Sequence, residues 1–409
     1  MTDPRQEIEA LVAFDGRAPG TDAERRAAHH LRRRLEALDR DVAVETTWIR
    51  PSWALAYTAF ALMGVTASIV STASAAAGAI IAGLALGGAI ADLGGRIHLA
   101  RRLTGRRASQ NVLSREDRGR RGTIVLVAHY DAARGGSAFG RPAEWRAALG
   151  HRTRRAIGPF EPLVWSLGLV LLCAVFRTAG IHPLGLAIVQ FAATLVLILA
   201  VPLLAGIALS EVVPGASDNA SGVATVLRLA ERYGEDLDHF DLWVLLTGGE
   251  EALGEGMREW MRAHRHELDP TATVFLNVDT VGSGTVRYSR REGPLLTARL
   301  HPQLTALCDQ IAAEDADEGR YGARPIVIRS ITDALPVRRA RFPVVSISCR
   351  NAVDHPDNLH RQTDTPDRVD AAALERAFAF CSELIELIDE RIGPEVARSE
   401  RAAQGFSSA

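Results

Sequence analysis

The sequence contains no lysine, so all 47 basic residues among its 409 residues are arginines. Acidic residues balance them to a formal net charge of −2, which gives no reason to expect a nucleic-acid-binding protein. Genomic base composition explains the arginine bias more simply than function does. Because 47% of the residues are hydrophobic, the chain can form a sizeable core, and disorder is excluded.

Cysteine is also scarce. The chain has four, widely spaced and without a CxxC pair: Cys173, Cys308, Cys349 and Cys381. This spacing suggests neither a disulfide framework nor a thiolate zinc site, so we expect reduced, packed thiols. The N-terminus is charged and amphipathic, and no cleavable signal peptide is predicted. Attachment to a membrane would therefore depend on internal segments.

Charge is absent from residues 51–91, a run about twice the roughly 20 residues that a membrane-spanning helix needs. This predicts a helical hairpin with helices near residues 53–71 and 75–91, joined at the small polar sequence STAS. Trp53 and Tyr57 are expected in the belt of aromatic residues at the membrane interface. Small residues in the second helix predict close helix packing.

A second apolar pair follows, with a short segment at residues 163–176 and a long one at 184–209 that is interrupted only by Pro202. The alternative for each segment is a buried core helix, which competes best for the short one. We predict four membrane crossings in all. The predicted divisions are residues 1–50, 96–160 and 211–395 for one catalytic domain, 51–95 and 161–210 for two transmembrane hairpins, and 396–409 for a flexible tail.

Two hairpins would leave all three parts of the catalytic domain on one side of the membrane. Arginines are dense beside the membrane on that side: Arg96, Arg101, Arg102, Arg106, Arg107, Arg152, Arg154 and Arg155. The opposite turns offer only Arg177. The excess of positive charge predicts a cytoplasmic catalytic domain, although arginines of a folded domain follow this rule less closely than those of short loops.

The polar parts of the chain alternate apolar strands with helices, which predicts an α/β domain with a mainly parallel sheet and helices on both faces. In such sheets, functional residues gather beyond the carboxyl ends of the strands. The polar candidates lie at or near these ends: His129, Asp131, Asp218, Glu250, Glu251, Asp279 and His360.

Each candidate alone has an ordinary structural explanation. Asp218 could cap the following helix, and the pair Glu250–Glu251 could be a solvated helix start. Asp279 follows an apolar strand, where a carboxylate needs a partner. Together, these imidazoles and carboxylates are the ligands expected of a hydrolytic zinc site, with one ion or with two ions about 3.5–4 Å apart.

The ordered motifs resemble those of peptidase family M28, the co-catalytic zinc peptidases. They are HYD at His129, SDNASG at Ser217, GEE at Gly249, NVD at Asn277, SITDALPVRRARFPVV at Ser330 and HRQTDTPDRVD at His360. The resemblance covers most of the sequence outside the apolar hairpins, and it implies the zinc-exopeptidase fold. The two hairpins are the main departure from the family pattern.

The resemblance implies two Zn²⁺ ions per chain. Their ligands would be Asp218 as the bridge, His129 and Asp279 for one ion, and Glu251 and His360 for the other. It also implies Glu250 as the general base acting on a metal-bridging water, and Asp131 as the residue that orients His129. His360 is preferred over His355 because Asp364 and Thr365 follow it, as in the family pattern.

The expected function is that of a membrane-embedded, zinc-dependent aminopeptidase, with a peptide substrate and the lipid bilayer as partners. One alternative is a single-zinc enzyme resembling glutaminyl cyclases, which needs only Asp218, Glu251 and His360. Another is a non-catalytic membrane scaffold on a peptidase fold. A scaffold would be expected to have lost ligands or the base, and the sequence retains all of them.

Overall fold

The computed structural model describes residues 3–95, 98, 100–234 and 236–395. Its α helices are α1 Pro4–Val12, α2 Asp22–Glu36, α3 Trp53–Ala73, α4 Ala75–Leu93, α5 Arg141–Thr153, α6 Glu161–Thr178, α7 Leu184–Leu209, α8 Ser221–Tyr233, α9 Glu255–His264, α10 Pro302–Glu314, α11 Ala334–Arg339 and α12 Ala371–Arg391. Its strands are β1 Asp41–Ile49, β2 Arg107–Arg115, β3 Gly122–His129, β4 Phe240–Thr247, β5 Thr273–Val278, β6 Thr285–Glu292, β7 Ala298–Arg299, β8 Arg324–Ile328 and β9 Val344–Arg350. Arg96 and the tail predicted for residues 396–409 lie outside the described residues.

The nine described strands form one mixed sheet in the order β1-β2-β4-β3-β5-β9-β6-β7, with β8 beside β6. The four central strands β4, β3, β5 and β9 are parallel, as predicted. The β1–β2 and β6–β9 pairs, which lie outside this centre, are antiparallel. The first apolar hairpin is inserted between β1 and β2, which pair along their full lengths.

Helices cover both faces of the sheet, as expected for central strands whose side chains are buried on both sides. On one face, α1, α2, α8, α10 and α12 pack into the larger core. On the other face, α9 and α11 contribute Met257, Trp260 and Val337 to a smaller core. This arrangement confirms the α/β architecture and leaves the carboxyl ends of the central strands free to build a site.

Four helices, α3, α4, α6 and α7, are each long and apolar enough to cross a membrane. Helix α3 packs against α4 and α7, and α6 packs against the same two helices. Small residues permit these contacts: a Cβ atom at Gly64 would lie 2.5 Å from Leu167 Cδ2. Large apolar side chains point outward, including Phe191, which is 70% exposed, and Leu209, which is 82% exposed.

Tyr57, predicted for the aromatic belt at the membrane interface, does not face outward, because its side chain is fully buried inside the helix bundle. The Tyr57 hydroxyl donates to Asp92 Oδ2 at 2.9 Å, so the polar end of the ring is satisfied within the protein. Trp53 is partly buried and contacts the rings of Tyr57 and Phe160 edge-on. Both aromatic residues join helices to each other.

A buried ion-pair network connects the bundle to the sheet domain. Arg101 Nε lies 2.8 Å from Asp92 Oδ1 near the end of α4, and Arg101 Nη1 lies 2.6 Å from Glu255 Oε1 at the start of α9. The Arg101 side chain is fully buried. It therefore belongs to the folded interior, and its charge is not evidence for the side on which the domain lies.

Candidate active site

The candidate site lies where the central parallel strands end. His129 is the last residue of β3 and is in register with Thr247, the last residue of β4. Glu250 and Glu251 follow β4, and Asp279 is the first residue after β5. Because parallel strands end at the same edge, loops far apart in the sequence bring their polar side chains together here.

Asp218 lies between the two imidazoles of the site. Its Oδ1 atom is 3.2 Å from His129 Nε2, and its Oδ2 atom is 3.1 Å from His360 Nε2. The residue sits in the turn Ala216–Ala220 that leads into α8, and the Asp218–Asn219 peptide bond is cis. Each carboxylate oxygen thus faces a different histidine.

Two groups of candidate ligand atoms share Asp218. One is His129, Asp218 and Asp279, and the other is Asp218, Glu251 and His360; within each group the atoms lie within 4.8 Å of one another. Every predicted ligand is present, and His360 rather than His355 contributes the second imidazole. A third group of His129, Glu250 and Glu251 meets the same distance criterion.

The donor set suits zinc. It consists of imidazole nitrogens and carboxylate oxygens, the non-thiolate ligands that hydrolytic zinc sites use. Glu251 Oε1 is buried and accepts no well-aligned hydrogen bond among the described residues, although His360 Nε2 lies 3.3 Å from it. A buried carboxylate oxygen so close to an imidazole nitrogen needs a proton or a metal ion between the two atoms, so the residues present fit a bound metal.

Asp131 supports both the histidine and the glutamates. Its Oδ1 atom is 3.5 Å from His129 Nδ1. Its two oxygens also accept backbone N–H bonds from Glu250 at 3.2 Å and Glu251 at 3.0 Å. The sequence predicts only the first of these contacts. One buried carboxylate therefore fixes parts of two neighbouring loops.

Asp364 holds the turn that carries Asp218. Its carboxylate accepts the backbone N–H groups of Ser217 at 2.8 Å and Asp218 at 3.1 Å. Buried Arg17 supports the same region, donating to the carbonyl oxygens of Tyr130 at 2.9 Å and Gly215 at 2.7 Å. Sequence reasoning missed Arg17, because an arginine in an N-terminal loop carries no signal for a buried position.

The small residues of the SDNASG motif are required by packing. A Cβ atom at Gly222 would lie 2.2 Å from Asn219 Oδ1 and 2.5 Å from the carbonyl oxygen of Val278. Asn219 in turn accepts the backbone N–H of Thr280 at 2.9 Å. Thr280 Oγ1 donates to Asp279 Oδ1 at 2.6 Å, so the motif also positions the Asp279 carboxylate.

The charged groups of the site shift one another's pKa values. Burial by itself would lower the pKa of His360, but Glu251 and Asp218 raise it to about 10. Burial also opposes ionisation of Asp218, yet contacts with the two histidines hold the pKa of this carboxyl far below its usual range. The site therefore favours cations beside the Asp218 carboxylate, whether protonated imidazoles or metal ions.

Glu250 is the buried acid not needed as a ligand in the two groups built on Asp218. Its Oε2 atom lies 3.9 Å from His129 Nε2. Burial raises the pKa of Glu250 well above the usual value; the nearby His129 opposes this shift, and Glu251 adds to it. A carboxylate with a raised pKa beside the ligand groups is suited to accept and return a proton.

Further acids lie behind the site. Asp333 is buried, and Thr247 Oγ1 donates to it. Burial raises the pKa of Asp333 to about 7. Glu292 is likewise buried and accepts from the backbone N–H of Thr332 at 2.7 Å. Arg338 of α11 donates to the carbonyl oxygen of Arg299.

The loop before α5 forms one wall of the site. The Phe139 ring contacts the His360 ring with 4.4 Å between centroids, and Arg361 Nε donates to the Phe139 carbonyl oxygen at 3.0 Å. Arg361 also lines a polar cavity of about 320 Å³, together with Ser283 and His355. His355, the rejected ligand candidate, therefore lines this cavity and belongs to none of the ligand groups.

The indole of Trp53 makes a contact that the sequence does not indicate. Its Nε1 atom, at the first residue of α3, donates to the backbone carbonyl oxygen of Glu251 at 2.9 Å. An apolar helix is thus hydrogen-bonded directly to the loop that carries two candidate site residues. The only sequence signal is an aromatic residue at the start of an apolar segment, which predicts an interfacial anchor instead.

Comparison with known proteins confirms the family resemblance. Residues 204–385 match the sequence profile of peptidase family M28. No curated protein sequence matches the chain.

Solved structures resemble nearly the whole chain. A leucine aminopeptidase precursor from Bacteroides thetaiotaomicron is 14% identical, with a TM-score of 0.53, 93% of this chain covered and 95% of that one. A Porphyromonas gingivalis glutaminyl cyclase is 14% identical, with a TM-score of 0.54 and coverages of 94% and 96%. A Zn-dependent exopeptidase from Parabacteroides distasonis is 12% identical, with a TM-score of 0.53 and coverages of 95% and 97%. These similarities establish a peptidase-like α/β fold.

Proposed function

We propose that this chain is a membrane-embedded aminopeptidase that binds two zinc ions. One ion would be held by His129, Asp218 and Asp279, and the other by Asp218, Glu251 and His360. The observation that carries the proposal is the position of Asp218, whose two oxygens face different imidazoles at 3.2 and 3.1 Å. A carboxylate shared in this way is what a pair of hydrolytic metal ions requires.

The residues around the ligands would perform the proton transfers of peptide hydrolysis. Bound zinc would supply a water of lowered pKa and polarise the scissile carbonyl. Glu250 would accept the proton of that water and deliver it to the leaving amine. Asp131 would keep Glu250 and His129 in position through the contacts described above. The buried acids around His129 give this part of the site a negative charge suited to the free ammonium group of a peptide N-terminus.

The four apolar helices support a multi-pass membrane protein. Their outward-facing leucine, isoleucine and phenylalanine side chains would be costly to hold in water, and a bilayer would cover them. An even number of crossings would leave all three parts of the sheet domain on one side, which we propose is cytoplasmic. The Trp53–Glu251 contact would then place the site close to the membrane surface.

Zinc content and turnover test the proposal together. We expect the detergent-purified chain to hold two zinc equivalents by elemental mass spectrometry and to release amino acids from peptides with free N-termini. Glu250→Gln should keep both equivalents and lose about 10²- to 10⁴-fold in kcat. Asp218→Ala should lose both equivalents, and the control Glu259→Gln on α9 should match the wild type. A fully active Glu250→Gln enzyme would refute the assigned base.

A single-zinc cyclisation of N-terminal glutamine is the second candidate, because Asp218, Glu251 and His360 form a complete ligand group by themselves. The complete second group with His129 and Asp279 favours two ions. One zinc equivalent that His129→Ala leaves unchanged, together with cyclisation of a glutaminyl peptide, would favour the cyclase. Absence of metal even after zinc is added would favour a scaffold.

A further inference from the structure

A groove of about 740 Å³ lies away from the candidate site, between the end of α4, helices α9 and α11, and residues 294–296. We call it the α4–α9 groove. Its lining has an apolar part and a basic part. Ile90 and Leu296 belong to the apolar part, and Arg262 and Arg265 belong to the basic part.

The basic part of the groove is a stripe of arginines. Arg258, Arg262 and Arg265 are spaced i, i+4 and i+7, so they share one face of α9 and its C-terminal cap and extend over about 10 Å. Arg339 joins them from α11. Among the described residues that line the groove there is neither Asp nor Glu. The charged residues of this lining are therefore all positive.

Two of these arginines have a structural role at the end of α4. A Cβ atom at Gly95 would lie 2.8 Å from Arg339 Nη1 and 3.1 Å from Arg258 Nε, so both guanidinium groups converge on this glycine. Arg339 Nη2 donates to the carbonyl oxygen of Leu93 at 3.2 Å. Cations are favourable at a helix C-terminus, which accounts for this pair.

The other two arginines extend the positive charge into solvent. Arg262 is 67% exposed and, within the described part of the chain, forms its ion pair with Glu259 of the same helix. Arg265 is exposed and lies beside His266. Neither contact requires four arginines around one groove. The favourable interaction of cations with the C-terminus of α4 therefore accounts for Arg258 and Arg339 but not for Arg262 and Arg265.

The apolar part of the groove is continuous with the helix bundle. Leu295 packs against the bundle core, and the neighbouring Leu296 is 90% exposed. Ile90, in the last turn of α4, is 46% exposed. If α4 crosses the membrane, its end lies at the boundary between hydrocarbon and headgroups, and the groove joins these two layers.

We propose that the α4–α9 groove binds an anionic phospholipid of the bilayer. The phosphate would lie among Arg262, Arg265 and Arg339, and the acyl chains would pass Ile90 and Leu296. Charge complementarity favours an anion, and the exposed leucine beside the bundle favours one that carries hydrocarbon. An acidic peptide would use the arginines but leave Leu296 uncovered. This inference depends on the proposed membrane insertion, not on the proposed peptidase activity.

Lipid binding to the full-length chain tests the inference directly. Phosphatidylglycerol and phosphatidylcholine would each be titrated into detergent-solubilised protein and followed by native mass spectrometry, without peptide substrate. We expect phosphatidylglycerol to bind at least tenfold more tightly. Arg262→Gln combined with Arg265→Gln should weaken that binding about 25-fold, roughly fivefold for each arginine. Leu296→Asp should weaken it as well, although it removes no positive charge.

The matched control combines Arg232→Gln on α8 with Arg391→Gln on α12. It makes the same change in net charge at exposed positions outside the groove and should alter the lipid affinity less than twofold. Equal affinities in the two double variants would rule the groove out as the lipid site. Inorganic phosphate bound as tightly as the lipid, and unaffected by Leu296→Asp, would show a free-phosphate site and overturn the inference. Tighter binding of an acidic peptide than of phosphatidylglycerol would overturn it too.

These outcomes are separable from those of the other proposals. A chain that stays soluble without detergent would first contradict membrane insertion. A chain that binds the lipid selectively but hydrolyses no peptide would support the groove and refute the enzyme. If the double arginine variant fails to fold, Leu296→Asp still tests the lipid site. Leu296 is 90% exposed in the folded chain, so its substitution should leave the fold intact.

Discussion

At the scale of single residues, the carboxylate of Asp218 and the two imidazoles facing it are interdependent. The Nε2 atoms of His129 and His360 lie 3.2 and 3.1 Å from the two oxygens of Asp218. A proton or a metal ion must lie between each nitrogen and its carboxylate oxygen. In the metal-free protein the proton fills that role, which is why the pKa of His360 is raised to about 10. Zinc and protons therefore compete for the same nitrogen atoms.

We expect zinc affinity to rise with pH. His360, with a raised pKa, is protonated in the metal-free protein at pH 7 and must lose its proton to become a ligand. Below pH 10, each displaced proton should strengthen binding about tenfold per pH unit. Competition with a chromophoric chelator at pH 6.5, 7.5 and 8.5 would measure the slope. Affinity independent of pH would contradict protonated histidines in the metal-free site.

Gly222→Ala should destabilise the protein by about 1–3 kcal/mol. The added methyl would meet Asn219 Oδ1 and the backbone carbonyl oxygen of Val278, neither of which is the far end of a flexible side chain. Denaturant unfolding would measure the change. Gly105→Ala is the control, since a Cβ atom there meets no atom within 4 Å. Equal stability of the two variants would show that the motif does not need its small residue.

At the scale of elements, the apolar helix bundle contacts the loop after β4 directly. Trp53 donates to the Glu251 carbonyl oxygen, and Arg101 joins Asp92 of α4 to Glu255 of α9. Residues 251–255, which follow Glu250 directly, are thus held at both ends. Insertion of the hairpin between β1 and β2 therefore gives the site loop a support made by the bundle.

Trp53→Phe should lower kcat/KM about fivefold while leaving the fold intact. Phenylalanine keeps the ring that packs on Tyr57 and Phe160 but cannot donate to Glu251, and a lost hydrogen bond costs about 1 kcal/mol. Steady-state kinetics and zinc content would be compared with Trp48→Phe, which changes an indole that is 55% exposed on β1. Identical kinetics of the two variants would mean that the contact does not support the site.

At the scale of the whole molecule, membrane topology is testable through introduced thiols. All four native cysteines are buried, so they should react little with a membrane-impermeant maleimide. Ala179→Cys, in the turn after α6, should be labelled in intact cells. Ala263→Cys, exposed on α9, should be labelled only after the cells are opened. Labelling of Ala263→Cys alone in intact cells would place the sheet domain outside the cytoplasm, and labelling of both variants in intact cells would contradict the proposed crossings.

The sequence by itself determined the elements and the chemical types at the site. Apolar strands alternating with helices predicted the parallel centre, and uninterrupted apolar runs predicted α3, α4 and α7 to within a few residues. These features are local, since they follow from periodicity and from charges that are absent. The order of the short motifs identified the ligand candidates, because each motif combines metal-binding side chains with the small residues that its turn requires.

Only the tertiary structure decided which distant groups meet. The support of both glutamates by Asp131 and the buried position of Arg17 depend on loops that the sheet brings together. Tyr57 showed the limit most clearly: an aromatic residue in an apolar helix suits the membrane interface, yet Asp92 holds its hydroxyl inside the bundle. A hydrogen bond across 35 positions leaves no periodic trace in the sequence, so only folding reveals it.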